Sequence, residues 1–142
     1  MGEDDIPSIL EIEKVSFANP WRDSTFSGEI VNTSVSFPYV IVHSIFERNI
    51  GYIIYWKIQE EVQISNFAIH PDFRRKGIGE AVMRRIIQMI RRDGGEYIFL
   101  EVRPSNLAAR ALYKKLGFKV LGSRKDYYQT PLEDALIMGK PL

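Results

Sequence analysis

Cysteine is absent from the 142 residues, so the chain has neither a disulfide framework nor a thiolate metal site. Long apolar runs are missing as well, and no stretch approaches the ~20 residues needed to cross a bilayer. The opening segment Met1-Gly2-Glu3-Asp4-Asp5 is acidic and lacks the basic and apolar regions of a signal peptide. Nor is there an excess of charge. Nineteen Lys and Arg balance 18 Asp and Glu to a net +1, so any attraction to nucleic acid has to be local rather than global. The two histidines, His43 and His70, have no partner pattern and receive no role. Repeats, low-complexity tracts and linker-like composition are also lacking. The expectation is one soluble, cytoplasmic domain over 1–142, with no metal, no membrane contact and no direct nucleic-acid binding.

Along the chain, Ile6, Ile9, Leu10 and Phe17 follow helical spacing, with Asp4 or Asp5 as N-cap and Pro7 in the first turn. Asn19-Pro20-Trp21 breaks that pattern, and a second short helix is expected from Asp23 or Ser24 to Val31. Trp21 reads first as a core anchor, although a Pro-Trp corner between helices equally makes a groove wall. Tyr39–Phe46 and Ile50–Ile58 read as paired strands around a turn at Glu47-Arg48-Asn49. In the strand that starts near Glu61, the apolar positions change from even (Val62, Ile64) to odd (Phe67, Ile69) around Ser65-Asn66. Either a β-bulge sits there or both faces of the strand are buried.

A helix over Gly77–Asp93 carries the apolar stripe Ile78, Val82, Ile86, Met89 and Ile90, with Arg84, Gln88, Arg91 and Arg92 facing away, and Gly94-Gly95 stops it. Tyr97–Arg103 alternates, with Ile98, Leu100 and Val102 on one face and Tyr97, Phe99 and Glu101 on the other. Ser105 or Asn106 caps a further helix that ends at Gly117-Phe118. Two strands, Lys119–Tyr127 and Asp134–Gly139, flank a turn containing Pro131. The order predicts a mixed α/β sheet with crossover helices after the two central strands.

The turn Arg74-Arg75-Lys76-Gly77-Ile78-Gly79 joins a strand to the longest helix. Unpaired helix N–H groups, the positive end of the helix dipole and three adjacent cations make it an anion site. It is not a P-loop, because G-x-x-x-x-G-K-[ST] is absent. It is not the dinucleotide fingerprint either, because Val82 stands where the third glycine belongs.

The remaining pattern, R-x-x-G-x-G, resembles the acetyl-CoA signature of the GNAT superfamily of N-acetyltransferases. Leu100-Glu101-Val102-Arg103-Pro104-Ser105-Asn106, followed by Ala109, Leu112-Tyr113 and Leu116-Gly117-Phe118, resembles the superfamily's second block. With Phe17-x-x-Pro20-Trp21, Tyr127-Tyr128, Glu133-Asp134-Ala135 and Met138, it looks like the ribosomal-protein-alanine and archaeal N-terminal acetyltransferase branch. The resemblance implies an acyl-CoA N-acyltransferase fold, a central mixed and mostly antiparallel sheet flanked by helices. The superfamily's usual first strand is expected to be missing, since only Met1–Asp5 precede Ile6.

It also implies acetyl-CoA as co-substrate. Backbone N–H groups of Arg75, Lys76, Gly77, Ile78 and Gly79 would hold the pyrophosphate, with Arg74, Arg75 and Lys76 adding charge and Glu80 also among the cofactor-binding residues. Phe67-Ala68-Ile69 would present strand backbone to the pantetheine arm, and Asn106 would touch the cofactor besides capping its helix. Pattern alone favours Glu101 as a surface charge and Tyr113 as a core tyrosine. The resemblance instead implies that Glu101 deprotonates the acceptor amine and Tyr113 protonates the departing thiolate. Pro20, Trp21, Tyr127 and Tyr128 would line the slot for a protein or peptide N-terminus, a ribosomal protein among the candidates, in a monomer or weak dimer. Alternatives are an acetyltransferase for lysine side chains or small amines, and a non-catalytic module that binds CoA or nucleic acid.

Overall fold

The computed structural model describes residues 1–142. After a 3-10 turn at Glu3–Asp5 come helices α1 (Ile6–Ser16) and α2 (Asp23–Val31), then strands β1 (Ser36–Val42), β2 (Asn49–Ile58) and β3 (Glu61–Ile69). A second 3-10 turn, Pro71–Phe73, leads into α3 (Ile78–Arg92), followed by β4 (Tyr97–Val102), α4 (Leu107–Lys115), β5 (Lys119–Gln129) and β6 (Leu132–Pro141). The strands form one 6-stranded sheet in the order β1-β2-β3-β4-β6-β5. Only β3 and β4 run parallel; every other neighbour is antiparallel, as the hairpins require for β1–β2, β2–β3 and β5–β6. No strand precedes α1, so β1 is the sheet edge. The Met1 amine donates to the Pro38 carbonyl on that edge at 3.3 Å.

Helices cover both faces. On one, Met83, Ile86, Ile87 and Ile90 of α3 pack with Tyr113, Leu116 and Phe118 against Val62, Ile64, Ile98, Leu100 and Val102. On the other, Ile6, Ile9 and Ile12 of α1 and Phe26 of α2 pack on Tyr52, Ile54 and Ala68. No helix is long and apolar enough to cross a membrane.

Three local expectations are corrected. The first strand spans Ser36–Val42 rather than Tyr39–Phe46, because Pro38 is tolerated on an edge and His43 turns the chain. The Nδ1 of His43 accepts from the Ile45 and Phe46 amides, each at 3.2 Å. The stripe of α3 is centred on Met83 and Ile87, two residues its sequence reading omitted, while Ile78, Val82 and Met89 are only half-buried. Asp5 holds the N-cap position of α1 without capping it. Its carboxylate accepts from the Gly2 amide at 2.7 Å and from Asn49 Nδ2 at 3.0 Å instead.

The change of parity in β3 is a bulge. Ile54 pairs with Asn66 but Tyr55 pairs with Ile64, leaving Ser65 as the extra residue. Before it, even-numbered side chains face α3. After it, Phe67 and Ile69 lie beside Gly79 of α3, while Ala68 joins the α1 side. The β3–β4 ladder ends at the same place, since its last pair is Ile64 with Leu100. Beyond that pair β3 continues along β2 and β4 along β6, so a wedge opens between the two central strands.

The β5–β6 hairpin is clasped onto the end of β4. Arg103 Nη1 donates to the Pro131 carbonyl at 2.8 Å and Nη2 to the Thr130 carbonyl at 3.1 Å. Glu133 accepts from the Ser105 amide at 2.7 Å and the Ser105 hydroxyl at 2.9 Å, and pairs with Arg103 at 3.3 Å. Burial works to raise the Glu133 carboxyl, but Ser105 and Arg103 together hold it below the ordinary range.

Deleting Ser65 removes the extra residue, so β3 is expected to alternate strictly with Phe67 and Ile69 still on the α3 face and the chain still folded. Each of those burials is worth about 1.5–3 kcal/mol, so a loss of several kcal/mol in denaturant unfolding, as if both side chains had left that face, would contradict the bulge. The clasp carries a sign for pH. A carboxyl lowered in the fold stabilises above its unfolded pKa and stops doing so as pH falls through the folded one. In an NMR titration the Ser105 amide is therefore expected to move with a midpoint below about 4.3, the ordinary Glu value.

Candidate active site

The turn after β3 has the backbone of an anion site. Gly77, the N-cap of α3, is left-handed at φ +76°, and Arg75 also has a positive φ of 60°. These conformations aim successive amides the same way. The first amide of this stretch engaged in the chain is that of Ala81, which donates to the Gly77 carbonyl at 3.1 Å; those of Arg75 to Glu80 donate to nothing. The nearby side chains divide their tasks. Arg74 is not free for an anion, because its Nε donates to the Ile69 carbonyl and its Nη2 to Ser16 Oγ, both at 2.7 Å. Lys76 lies over the Phe73 ring at 5.5 Å and Arg75 is exposed. Glu80 bridges to Lys115 of α4 at 2.7 Å and to Arg84 at 3.1 Å, which together hold its carboxyl below the ordinary range. Asn106 is the N-cap of α4, its Oδ1 accepting from the Ala109 amide at 3.2 Å.

The open side of β3 after Ser65 is the second component. Phe67, Ala68 and Ile69 keep their β2 partners but have no β4 partner, so one row of strand amides and carbonyls faces the wedge. Gly79 closes the α3 end of this wedge against Phe67 and Ile69. A Cβ there would lie 3.8 Å from Phe67 and 3.7 Å from Leu112, ordinary contact distances. An extended amide-containing ligand whose anionic end sits on the turn fits this shape, and that is the chemistry of acyl-CoA.

Glu101 stands on β4 just past the last β3–β4 pair, on the α1–α2 face. Its side chain is only 9% exposed, and its visible ion-pair partner, Arg124 at 3.0 Å, is 56% exposed. A carboxylate this enclosed at a strand opening is not the surface charge that pattern alone favours. Beside it, β5 bulges: Arg124 pairs with Ala135 and Tyr128 with Glu133, leaving Lys125, Asp126 and Tyr127 looped out, with Asp126 at φ +52°. The loop brings Tyr127 next to Glu101, whose carboxylate pushes that phenol above its ordinary value, with burial adding to the effect. Tyr128 meets Tyr127 edge-on at 5.0 Å and lies under the Arg103 guanidinium at 4.3 Å. Burial, with Tyr127 and Glu101 nearby, pushes the Tyr128 phenol up to about 12.

Tyr113 occupies the other side of the sheet, buried at 8% exposure in the α3–α4 core and tilted against Phe118 at 5.7 Å. Burial pushes its phenol up, and Tyr128 adds to that shift. The group is therefore a neutral hydroxyl at every ordinary pH. Ser36 Oγ is the only fully buried side-chain polar atom without a partner, so the Tyr113 hydroxyl retains access to solvent. Tyr128 thus stands near both Glu101 and Tyr113.

Pro20 is exposed and Trp21 half-buried at the corner between α1 and α2. The Trp21 ring meets Phe26 at 5.3 Å, and its backbone amide donates to Glu13 Oε2 at 2.9 Å. Trp21 is thus a core contact whose ring stays partly exposed at the corner. Sequence reasoning missed Glu13, because a charged residue on an amphipathic helix reads as solvated. It missed Arg103 and Arg124 as well, since nothing local to either marks its partner. A cavity of about 180 Å³ lined by Arg84, Gln88, Arg91 and Lys140 lies on the far side of α3 and includes none of these groups.

Comparison with known proteins agrees with this geometry. The model of the acetyltransferase (GNAT) family matches residues 6–118. A Bacillus subtilis (strain 168) protein described as a candidate ribosomal protein bS18-alanine N-acetyltransferase is 36% identical over 97% of this chain and 90% of its own length. The ribosomal protein bS18-alanine N-acetyltransferase of Salmonella typhimurium is 34% identical over 97% and 92%. Among solved structures, the ribosomal-protein-S18-alanine N-acetyltransferase from Escherichia coli superposes with a TM-score of 0.89 at 31% identity, covering 99% of this chain and 90% of that one. With a matching family model over most of its length and relatives above 30% identity along nearly all of it, the chain belongs to the GNAT family of acetyltransferases.

Proposed function

We propose that the chain transfers the acetyl group of acetyl-CoA to the α-amine of a protein N-terminus, with ribosomal protein bS18 and its N-terminal alanine as the first acceptor to test. The relatives' activity supports the acceptor class. The observation that carries the reading is Glu101: a carboxylate nine-tenths buried where β3 and β4 part, flanked by the Tyr127–Tyr128 pair.

In this reading the free amides of Arg75–Glu80 receive the pyrophosphate and the open edge at Phe67–Ile69 receives the pantetheine arm. Acetyl-CoA supplies an activated acetyl group as a thioester. An acceptor amine arrives as ammonium and attacks only once deprotonated. Glu101 takes that proton, directly or through water. As the new C–N bond forms and the C–S bond breaks, Tyr113 donates its hydroxyl proton to the leaving sulfur, and the second proton lost by the attacking nitrogen restores the phenol through water. Its raised pKa suits it to hold that proton until the thiolate appears. The chain has no cysteine to carry the acetyl group, which accords with direct transfer. In this reading Tyr127 and Tyr128 on one side and Pro20 and Trp21 on the other receive the N-terminus and its first side chains.

Substituting Glu101→Gln or Tyr113→Phe is expected to lower kcat by about 10²–10⁴-fold, the usual range for a positioned acid or base, with acetyl-CoA affinity nearly unchanged. Full turnover in both variants would remove the proton roles. Mass spectrometry on short peptides is expected to show acetylation at N-termini, strongest for those beginning with Ala or Ser. Modification of internal lysines or free polyamines with inert N-termini would overturn the acceptor assignment.

A further inference from the structure

Glu13 is a charged residue in the middle of a hydrophobic cluster. It is 1% exposed, among Ile9, Ile12, Phe26 and Tyr52, and no Lys, Arg or His forms an ion pair with it. Burying a carboxylate this way is costly unless every lone-pair direction is served. Hydrogen bonds do serve it, and they separate by oxygen. Oε1 accepts from the Tyr52 hydroxyl on β2 and from Asn66 Nδ2 on β3 at 2.9 Å. Oε2 accepts from the Trp21 backbone amide at 2.9 Å. Burial and the adjacent Glu13 charge push the Tyr52 phenol far above its ordinary range, so it remains a donor.

Asn66 is the first residue after the extra Ser65, and only the bulge turns its side chain toward α1. One carboxylate therefore spans the corner between the helices and the strand segment where the wedge opens. A salt bridge or an apolar side chain would stabilise the cluster without fixing that distance. A carboxylate with dedicated donors on each oxygen does fix it.

We propose that Glu13 is a positioning residue for the acceptor wall: it sets Trp21 against the β3 bulge, so that the wall and the cofactor-facing strand move as one body. This rests on the acceptor reading for its kinetic consequence but not for its structural one.

Glutamine would not separate the two oxygens, because its NH2 can donate to the Tyr52 hydroxyl and to a flipped Asn66 amide while its carbonyl keeps the Trp21 bond. Methionine, unbranched and of similar length, fills the same space and accepts from neither side, so the corner loses its anchor. Tyr52→Phe removes a donor from Oε1 and leaves the Trp21 bond in place.

The test uses protein labelled with 15N-tryptophan, which reports two backbone amides. Trp56, in the β2 ladder, is the internal reference. Glu13→Met is expected to speed hydrogen exchange at Trp21 by roughly tenfold or more, the loss of a bond to a charged acceptor, with Trp56 unchanged; Tyr52→Phe should leave Trp21 protected even where it lowers the melting temperature. In steady-state kinetics Glu13→Met should raise the peptide KM several-fold with the acetyl-CoA KM within about twofold of wild type, and Tyr52→Phe should move neither. Equal exchange at Trp21 in wild type and Glu13→Met, or equal loss in both variants, would overturn the positioning role. If the wild-type protein acetylates no peptide, the acceptor reading fails, and the exchange measurement still decides the role of Glu13.

Discussion

The fold depends on a mismatch between neighbouring strands. Between Ile64 and Asn66, β3 carries one residue more than β2 can pair, and Ser65 is left over. Taking that residue up as a bulge, rather than in strict alternation, exchanges the faces of every later residue in the strand. Phe67 and Ile69 come to lie beneath α3, where the turn Arg75–Glu80 leaves its amides free. Asn66 turns to the opposite face and meets the buried Glu13. The β3–β4 ladder stops at the same point, so an open strand edge and an anion-binding helix start fall within one wedge. A continuous β3 would close that wedge and place Asn66 in the α3 core without a partner.

Around the wedge, charges are arranged on different surroundings. Glu101 is enclosed but balanced by the exposed Arg124, a long side chain able to leave at little cost. Tyr113, Tyr127 and Tyr128 are all held neutral, by burial for Tyr113 and Tyr128 and chiefly by Glu101 for Tyr127. A carboxylate beside neutral phenols gives one group that accepts a proton and others that hold one, the division that acyl transfer to an amine requires. Arg103 fixes the hairpin bearing two of those phenols by holding carbonyls on its turn, so that hairpin is held at the wedge by hydrogen bonds.

How much of this was legible in the sequence varied with the range of the interaction. The change of parity at Ser65-Asn66 raised the bulge as one of two readings, because alternation is a local property of the strand. The anion turn followed from Gly77 and Gly79 before an amphipathic helix. The roles of Glu101 and Tyr113 came only through resemblance, since alternation alone leaves Glu101 on a surface and helical spacing leaves Tyr113 in a core. The structure qualifies both: Tyr113 is indeed core, and Glu101 is enclosed by a hairpin some twenty residues later in the chain. Glu13 and Arg103 were not legible at all. Their partners lie between 8 and 53 residues away, and neither residue differs in type or spacing from an ordinary solvated charge. Arg74 was assigned to the anion, but its guanidinium is occupied by Ile69 and Ser16, a pairing set by how α1 packs on the end of β3.

The most direct test of the wedge is where CoA contacts the chain. In backbone amide spectra titrated with CoA, the largest shifts are expected at Phe67–Ile69 and Arg75–Glu80, with the β1–β2 ladder unmoved. Shifts concentrated on the far side of α3, around Arg84, Arg91 and Lys140, with the β3 edge silent, would contradict the account.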